Sequence, residues 1–199
     1  MTLDILIAFV LFAFVSSATP GPNNLMLMAS GANFGFRRTI PHMAGISVGM
    51  MVLICVVGGG LARIFDLYPV AHIVLKALSV GYMTFLAWKI ATAAPLRKTA
   101  ASQNPMTFLQ AAAFQWVNPK AWAMALTSVT VYVANGSWGV LFLACCVFAL
   151  VNFPSVTIWT AMGQQMAKFL HNPRRLRLFN LIMAALLMAS LYPVLAMQP

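Results

Sequence analysis

Six apolar runs, each longer than 20 residues, occupy most of this chain and limit its fold more than any motif does. A helix needs about 20 apolar residues to cross the roughly 30 Å hydrocarbon core of a bilayer. Hydrophobic residues make up 62% of the chain and charged residues only 7%. Soluble domains carry about 25% charged residues, so this composition excludes a water-soluble surface. We therefore predict an all-α membrane protein with six transmembrane helices: Leu3–Phe34, His42–Ala62, Pro69–Ala94, Met106–Ala134, Trp138–Met166 and Leu176–Met197.

The connections between these runs are short, so residues 1–199 are predicted to form a single transmembrane domain. Asp4 stands where a cleavable signal would carry basic residues, and the first run is therefore expected to remain as a span. Cys55, Cys145 and Cys146 lack C-x-x-C spacing, which predicts no metal site. No Ser–His, paired-aspartate or H-E-x-x-H arrangement is present. These features favour a transporter over an enzyme, with no cofactor.

The formal net charge of +10 does not indicate nucleic-acid binding, because the basic residues lie between apolar runs and do not form a patch with interleaved aromatic residues. Positive residues collect in cytoplasmic loops of membrane proteins. Alternate connections carry nine Lys and Arg residues, whereas the remaining connections carry Arg63. We therefore predict an inner-membrane protein with both termini outside. The nine residues are Arg37, Arg38, Lys89, Arg97, Lys98, Lys168, Arg174, Arg175 and Arg177.

A polar stretch at Lys98–Pro105 divides the chain into halves of three spans each, about 1–97 and 104–199. Each half opens with a run that is interrupted by proline, and Pro20 and Pro119 lie 99 residues apart. Because three spans reverse the direction of the chain, the second half would enter the membrane from the opposite side. The sequence thus predicts two inverted three-helix repeats in which helices 1 and 4 are broken, an architecture common among secondary transporters.

The two breaks predict a shared polar cavity in mid-membrane. Proline removes a helical hydrogen bond, so the prolines are expected to free the carbonyls of Ser16, Ala18 and Gln115. Lys120 adds a cation inside an apolar run, at a cost of at least about 2.5–3.5 kcal/mol, and no acidic residue lies nearby in the sequence. It would need freed carbonyls or an anionic ligand such as a carboxylate. The predicted substrate-binding residues are Pro20, Gly21, Pro22, Asn23, Asn24, Gln115, Asn118, Pro119 and Lys120.

Other interpretations of these features stay open. The prolines could merely kink two helices, and Lys120 could have a structural role. His42, at the predicted inner end of the second span, could carry protons or could be an ordinary helix-end histidine. Glycines at 31 and 35, and at 45 and 49, have the spacing of close helix packing and would permit a homodimer.

Three motifs resemble those of the LysE/RhtB family of amino-acid exporters. They are Thr19-Pro20-Gly21-Pro22-Asn23-Asn24, Gly35-Phe36-Arg37-Arg38 and Asn118-Pro119-Lys120. The resemblance covers the whole chain and implies efflux of amino acids or their derivatives, driven by the proton-motive force. It places one family signature on Pro20 to Asn23 and another on Asn118 to Lys120. Members of the family export lysine or arginine, threonine, homoserine, or cysteine and O-acetylserine.

Two departures bear on the substrate that the resemblance implies. Many members have Pro-Gln-Phe after the fourth span and an aspartate in the fifth, where this chain has Val131-Tyr132-Val133 and Asn152-Phe153-Pro154. Both departures resemble the cysteine/O-acetylserine branch and disfavour a cationic substrate. We predict an alternating-access exporter of a small neutral zwitterion, such as cysteine/O-acetylserine or threonine/homoserine, with this solute and membrane lipid as its partners. The alternatives are an exporter of another solute, such as a metal cation, and a non-transporting membrane subunit.

Overall fold

The computed structural model describes residues 1–61, 67, 70–93, 104–133, 137–170 and 172–192, and the regular structure in these ranges is helical throughout. The prediction of an all-α protein is confirmed. Within these ranges the α-helices are α1 Leu3–Ala18, α2 Pro22–Phe34, α3 Phe36–Val56, α4 Val70–Ala91, α5 Phe108–Phe114, α6 Pro119–Thr127, α7 Trp138–Ala167 and α8 Pro173–Ala189. π-Helical turns follow α3 at Val57–Leu61 and α6 at Ser128–Val133, and a 3-10 turn at Gln115–Val117 joins α5 to α6.

Three of the described segments are long and apolar enough to cross a membrane, namely Phe36–Leu61, Ile73–Ala91 and Trp138–Ala167. The pair α1 and α2 meets the same standard only as one span that is bent by 51° at its break. The predicted fourth run is divided among α5, α6 and two irregular turns, and α8 has 17 residues. The count of six spans therefore stays a prediction.

Some predicted features lie outside the described residues. They include most of the polar stretch that divides the halves, together with Arg63, Asp66, Arg97 and Lys98.

Apolar side chains cover the outside of the helices, while many polar side chains lie inside. Leu109 and Leu150 are each 74% exposed, whereas Gln115 and Asn180 are fully buried. This is the reverse of a soluble protein, in which charged and amide side chains are mostly on the surface. The arrangement is that of a multi-pass membrane protein.

Three helices begin with proline at their first or second position, where the missing N–H costs no helical hydrogen bond. Pro22 begins α2, Pro119 begins α6 and Pro173 begins α8. Asn118 and Asn172 cap α6 and α8, because their side-chain oxygens accept from the backbone N–H two residues later, at 3.2 and 2.8 Å. Asparagine followed by proline thus starts a helix twice in this chain by the same local chemistry.

Helix α2 crosses α7 at a pair of glycines. A Cβ at Gly31 would collide with the carbonyl oxygen of Thr160, and one at Gly163 would collide with that of Met28. The backbones of α2 and α7 therefore touch, an approach that small residues permit in membrane proteins.

Helix α3 approaches α5 in a similar way. A Cβ at Gly45 would collide with the carbonyl oxygen of Phe108, and one at Gly49 would lie 2.7 Å from Cα of Ala112. Close packing at these two glycines and at Gly31 is confirmed. The prediction of close packing is wrong for Gly35, whose surroundings are open. Its φ of 82° instead lets the chain turn from α2 into α3.

One end of the molecule gathers seven of the nine described Lys and Arg residues, and we call it the basic end. Arg38 donates to the side chain of Asn104 at 2.9 Å, and the N–H of Phe36 donates to Gln164 at 2.8 Å. These bonds hold the start of α3 beside the start of α5 and the end of α7. The helix termini here carry Arg37, Arg38, Lys89, Lys168, Arg174, Arg175 and Arg177.

The two ends differ in how tightly they are packed. A cavity of about 490 Å³, the basic-end cavity, lies between α2, the start of α3, the end of α4 and the residues that lead into α5. At the opposite end Phe9, Phe12, Tyr132 and Phe148 form a cluster of rings. The ring centroids of Phe9 and Tyr132 are 5.1 Å apart, within the range of favourable aromatic pairs. We call these four residues the aromatic cluster.

Candidate functional site

The break between α1 and α2 is held together by side chains from α2 and α7. The carbonyl oxygen of Ser17 accepts from the amide of Asn24 at 2.7 Å and from the hydroxyl of Ser155 at 2.8 Å. The same amide donates to the carbonyl oxygen of Thr19 at 2.9 Å. Because Asn24 is buried and makes two of these bonds, it fixes the angle at which α2 leaves α1.

The carbonyls that the prolines are expected to free all have partners in the protein. Those of Ser16 and Ala18 accept from Thr19 Oγ1 at 3.1 Å and from the indole of Trp159 at 3.3 Å. That of Gln115 accepts from the N–H of Asn118 at 3.4 Å. A ligand at the breaks would therefore meet polar side chains before it met open backbone.

Lys120 joins the two breaks. Its Nζ donates to the carbonyl oxygen of Thr19 at 2.8 Å and to the hydroxyl of the same residue at 3.0 Å. A Cβ at Gly21 would lie 2.7 Å from Cδ of Lys120, so glycine makes room for the lysine stem. Asp4 is the one acidic residue in the described ranges, and it lies in the first turn of α1. The ammonium is thus held by neutral oxygens.

Asn23 and Gln115 form a second link between the breaks. The Nδ2 of Asn23 donates to Oε1 of Gln115 at 2.9 Å, and Nε2 of Gln115 donates to Oδ1 of Asn23 at 3.2 Å. Gln115 is fully buried and also donates to the carbonyl oxygen of Ala111 at 2.9 Å. Every polar atom of this amide pair is therefore bonded.

A central cavity of about 20 Å³ lies among these groups. That volume suits a single water molecule and is far too small for an amino acid. Of the predicted site residues, the structure brings together Gly21, Asn23, Asn24, Asn118 and Lys120 around this cavity, and Gln115 joins them through Asn23. The remaining lining residues are Ser16, Ser17, Ala121, Met124 and Asn152.

The three predicted prolines shape the site without lining the cavity. Pro22 and Pro119 occupy the starts of α2 and α6, and Pro20 is exposed within the first break. Their contribution is to end one helical segment and begin the next, which aims Asn23, Asn24 and Lys120 at a common centre.

The comparison with protein families decides the class of this chain. The family model described as LysE type translocator matches residues 14–191. The chain belongs to this family. The translocator is similar to cysteine/O-acetylserine efflux proteins of Escherichia coli (strain K12) and Shigella sonnei (strain Ss046). Each is 31% identical over 133 residues, which cover 67% of this chain and 68% of the relative. No solved structure matches the translocator.

Several residues that shape the translocator's centre are not among those that the sequence predicts. Asn152 lines the central cavity, and Ser155 and Trp159 bond to the carbonyls at the end of α1. The sequence signal for Asn152 is an amide in an otherwise apolar run, at the position where the family resemblance leads one to look for an aspartate. Thr19 lies within the recognised motif, but nothing local indicates that it is the partner of Lys120.

No group of three or more His, Cys, Asp or Glu side chains that could hold a metal ion occurs among the residues that the structure describes.

Proposed function

We propose that this translocator exports a small amino acid or amino-acid derivative from the cytoplasm, and that its preferred cargo is a neutral zwitterion. Cysteine/O-acetylserine and threonine/homoserine are the candidate substrates. The observation that carries the proposal is the contact of Lys120 with Thr19, which places an ammonium between the two breaks with neutral partners only. The names of the relatives support amino-acid efflux.

The charges at the centre favour a zwitterion over a cation. A cargo carboxylate can replace the oxygens of Thr19 as the acceptor for Lys120 and gains a charge-assisted hydrogen bond. A cargo ammonium would have to use amide and carbonyl oxygens, such as those of Asn23 and Asn152, because the described lining carries no carboxylate. A cargo with a second positive charge would therefore lack a counter-charge.

The packing of the helices supports two inverted repeats of three spans. Helix α1 packs against α7, and α5 packs against α3, so the first half-helix of each repeat lies on the second span of the other. The contacts of α3 with α7 and of α4 with α8 join equivalent elements of the two halves. A two-fold axis in the membrane plane produces this exchange.

The proposed mechanism is alternating access driven by the proton-motive force in the inner membrane. We place the basic end in the cytoplasm and both termini outside, on the distribution of Lys and Arg. In this orientation the basic-end cavity faces the cytoplasm, the amide pair of Asn23 and Gln115 separates it from the central cavity, and the aromatic cluster lies on the outer side.

Replacement of Lys120 by Met tests the proposal. Hydrogen bonds to charged groups contribute about 1.5–3 kcal/mol, so export of O-acetylserine should fall by about 10- to 100-fold. Lys168→Met is the matched control, because Lys168 lies at the end of α7, away from the central cavity. Both variants are expressed in cells loaded with the labelled amino acid, and efflux is measured against the amount of protein in the membrane. Normal export by the Lys120 variant would overturn the assignment.

A further inference from the structure

The basic-end cavity is separate from the central cavity. Its volume of about 490 Å³ falls within the roughly 300–1,000 Å³ of small-molecule sites, and no residue lines both cavities. Met26 lines the larger cavity and Asn23, three residues earlier on α2, lines the smaller one. Residues three apart share one face of a helix, so the amide pair of Asn23 and Gln115 stands between the two spaces.

His42 is the unusual member of this cavity's lining. Its side chain is 2% exposed, and neither ring nitrogen has a hydrogen-bond partner among the described residues. A buried polar group without a partner costs about 1–3 kcal/mol, and such groups are rare in native proteins. The imidazole therefore lies at the wall of a space large enough for a ligand with an unused donor and an unused acceptor, both of which are covered in this conformation.

The polar neighbours of His42 are already bonded to one another. Ser30 and Thr39 share a hydrogen bond of 2.9 Å between their hydroxyls, and Thr39 also donates to the carbonyl oxygen of Gly35. Asn33 donates to Asn180 at 2.9 Å. None of these hydrogen bonds involves His42, so its imidazole remains available to a molecule that enters the cavity.

The charge around the cavity selects the class of that molecule. Lys89 lines the cavity, and Arg38 donates to Asn104, which also lines it. No acidic side chain occurs in the described lining. A carboxylate would be attracted to this rim, and a donor or acceptor elsewhere on the same molecule could pair with the imidazole.

We propose that the basic-end cavity is a first binding site at which a small amino-acid zwitterion is held from the cytoplasmic side before it reaches the central cavity, with the ring of His42 turning toward the cavity to form a hydrogen bond to it. This inference rests on the proposed export of amino acids. It adds a second site on the path of the cargo, and it assigns to His42 the role of ligand contact. Movement of the zwitterion from the basic-end cavity to the central cavity then requires the hydrogen bonds between Asn23 and Gln115 to break.

Protection of an introduced cysteine tests this site. Thr92 lines the cavity from the end of α4 and is exposed. Thr92→Cys is made in a background in which Cys55, Cys145 and Cys146 are replaced by serine, and the protein is reconstituted in phosphatidylcholine vesicles. A membrane-impermeant maleimide is added at the basic end, with and without O-acetyl-L-serine. Gln165→Cys, exposed on α7 outside the cavity, is the matched control.

A ligand at about ten times its Kd leaves roughly one site in eleven empty, so labelling of the Thr92→Cys variant should slow by about tenfold while the control does not change. Ethanolamine, which lacks the carboxylate, should not protect. His42→Leu should abolish protection, and His42→Gln, which keeps a donor and an acceptor, should retain part of it. Gln165→Cys, combined with each His42 substitution, should be labelled at the same rate with and without ligand, which shows that the substitution does not change the access of the maleimide to the basic end.

The Lys120→Met variant separates this inference from the proposed function. Protection that persists in that variant, with export lost, places the ligand at the basic-end cavity. Loss of protection in the Lys120→Met variant, or protection that survives in the His42→Leu variant, would overturn the inference and leave the export proposal standing. Protection by vesicles of anionic lipid without amino acid would assign the cavity to a headgroup and overturn it as well. Absence of both protection and wild-type export would remove both proposals.

Discussion

The two ends of this translocator are built from the same helices but are closed to different degrees. At the end that we propose faces outward, the rings of the aromatic cluster pack against one another. At the basic end, a cavity of about 490 Å³ separates α2 from the end of α4. Lipid chains are as apolar as the helices themselves, so helices in a membrane associate through close packing and hydrogen bonds and not through the hydrophobic effect.

The difference suggests which contacts the proposed alternating-access cycle exchanges. In that cycle the rings of the aromatic cluster separate as the outer end opens, and the basic-end cavity collapses at the same time. The crossing of α2 and α7 at Gly31 and Gly163, where backbones touch, is the natural part to stay fixed. The three predictions that follow test this division, from the largest expected effect to the smallest.

The largest effect is expected from locking the outer half of α3 to α7. The sulfur atoms of Cys55 and Cys145 are 3.0 Å apart, and both cysteines are free thiols. Oxidation by iodine, which accepts two electrons while the thiols lose two protons, should join them and stop export almost completely. A reductant should restore it. The measurement is efflux from cells or vesicles treated before loading.

Cys55→Ser is the control for this lock, because it should export normally with or without iodine. If the disulfide-linked protein still exports, the outer end opens without movement between α3 and α7. Opening at that end would then have to come from movement of α1 alone.

A smaller but clear effect is expected at the fixed crossing. Gly163→Ala places a methyl group against the backbone of Met28, and overpacking of this kind costs about 1–3 kcal/mol. The thermal unfolding midpoint in detergent should fall. Gly139→Ala, on the same helix with only the Ser137 hydroxyl near its added Cβ, should unfold at or slightly above the wild-type temperature. Equal midpoints for the two variants would show that α2 and α7 are not held together at this crossing.

The smallest effect is expected in the aromatic cluster. Phe12→Leu removes a ring whose centroid lies 5.5 Å from that of Tyr132, and such pairs contribute about 0.5–1.5 kcal/mol beyond their area. The free energy of unfolding should fall by that amount. Phe14→Leu on the same helix, at a side chain that is 57% exposed, should have no measurable effect. A fall of the same size in both variants would mean that the rings do not close this end.

The features that could be predicted from the sequence depend on local chemistry. Pro20 and Pro22, which flank a glycine, interrupt the first apolar run, and Asn118 followed by Pro119 starts a helix. The length and composition of the apolar runs require a membrane. These rules place the breaks and put Lys120 in the first turn of α6 without reference to the remainder of the fold.

The features that could not be predicted depend on how helices are rotated against each other. Helix α7 is apolar on all sides, so no periodicity indicates that Asn152 and Ser155 face α1. Thr19 meets Lys120 across 101 residues of sequence, and only the three-dimensional packing creates that contact. His42 closely follows two arginines in the sequence, yet the first turns of α3 enter the protein and bury it.

The reciprocal bonding of Asn23 and Gln115 has a consequence for the turnover of the translocator. Each amide group donates and accepts, whereas a carboxylate only accepts and an ammonium only donates. An amino acid that came between the two side chains could take their N–H groups with one end and their oxygens with the other, and no polar atom would be stranded. A pair of opposite charges in this place would hold together more strongly, because charge-assisted hydrogen bonds are about twice as strong as neutral ones. Uncharged amides change partners freely, so capture and release of the cargo can proceed with similar ease in both directions.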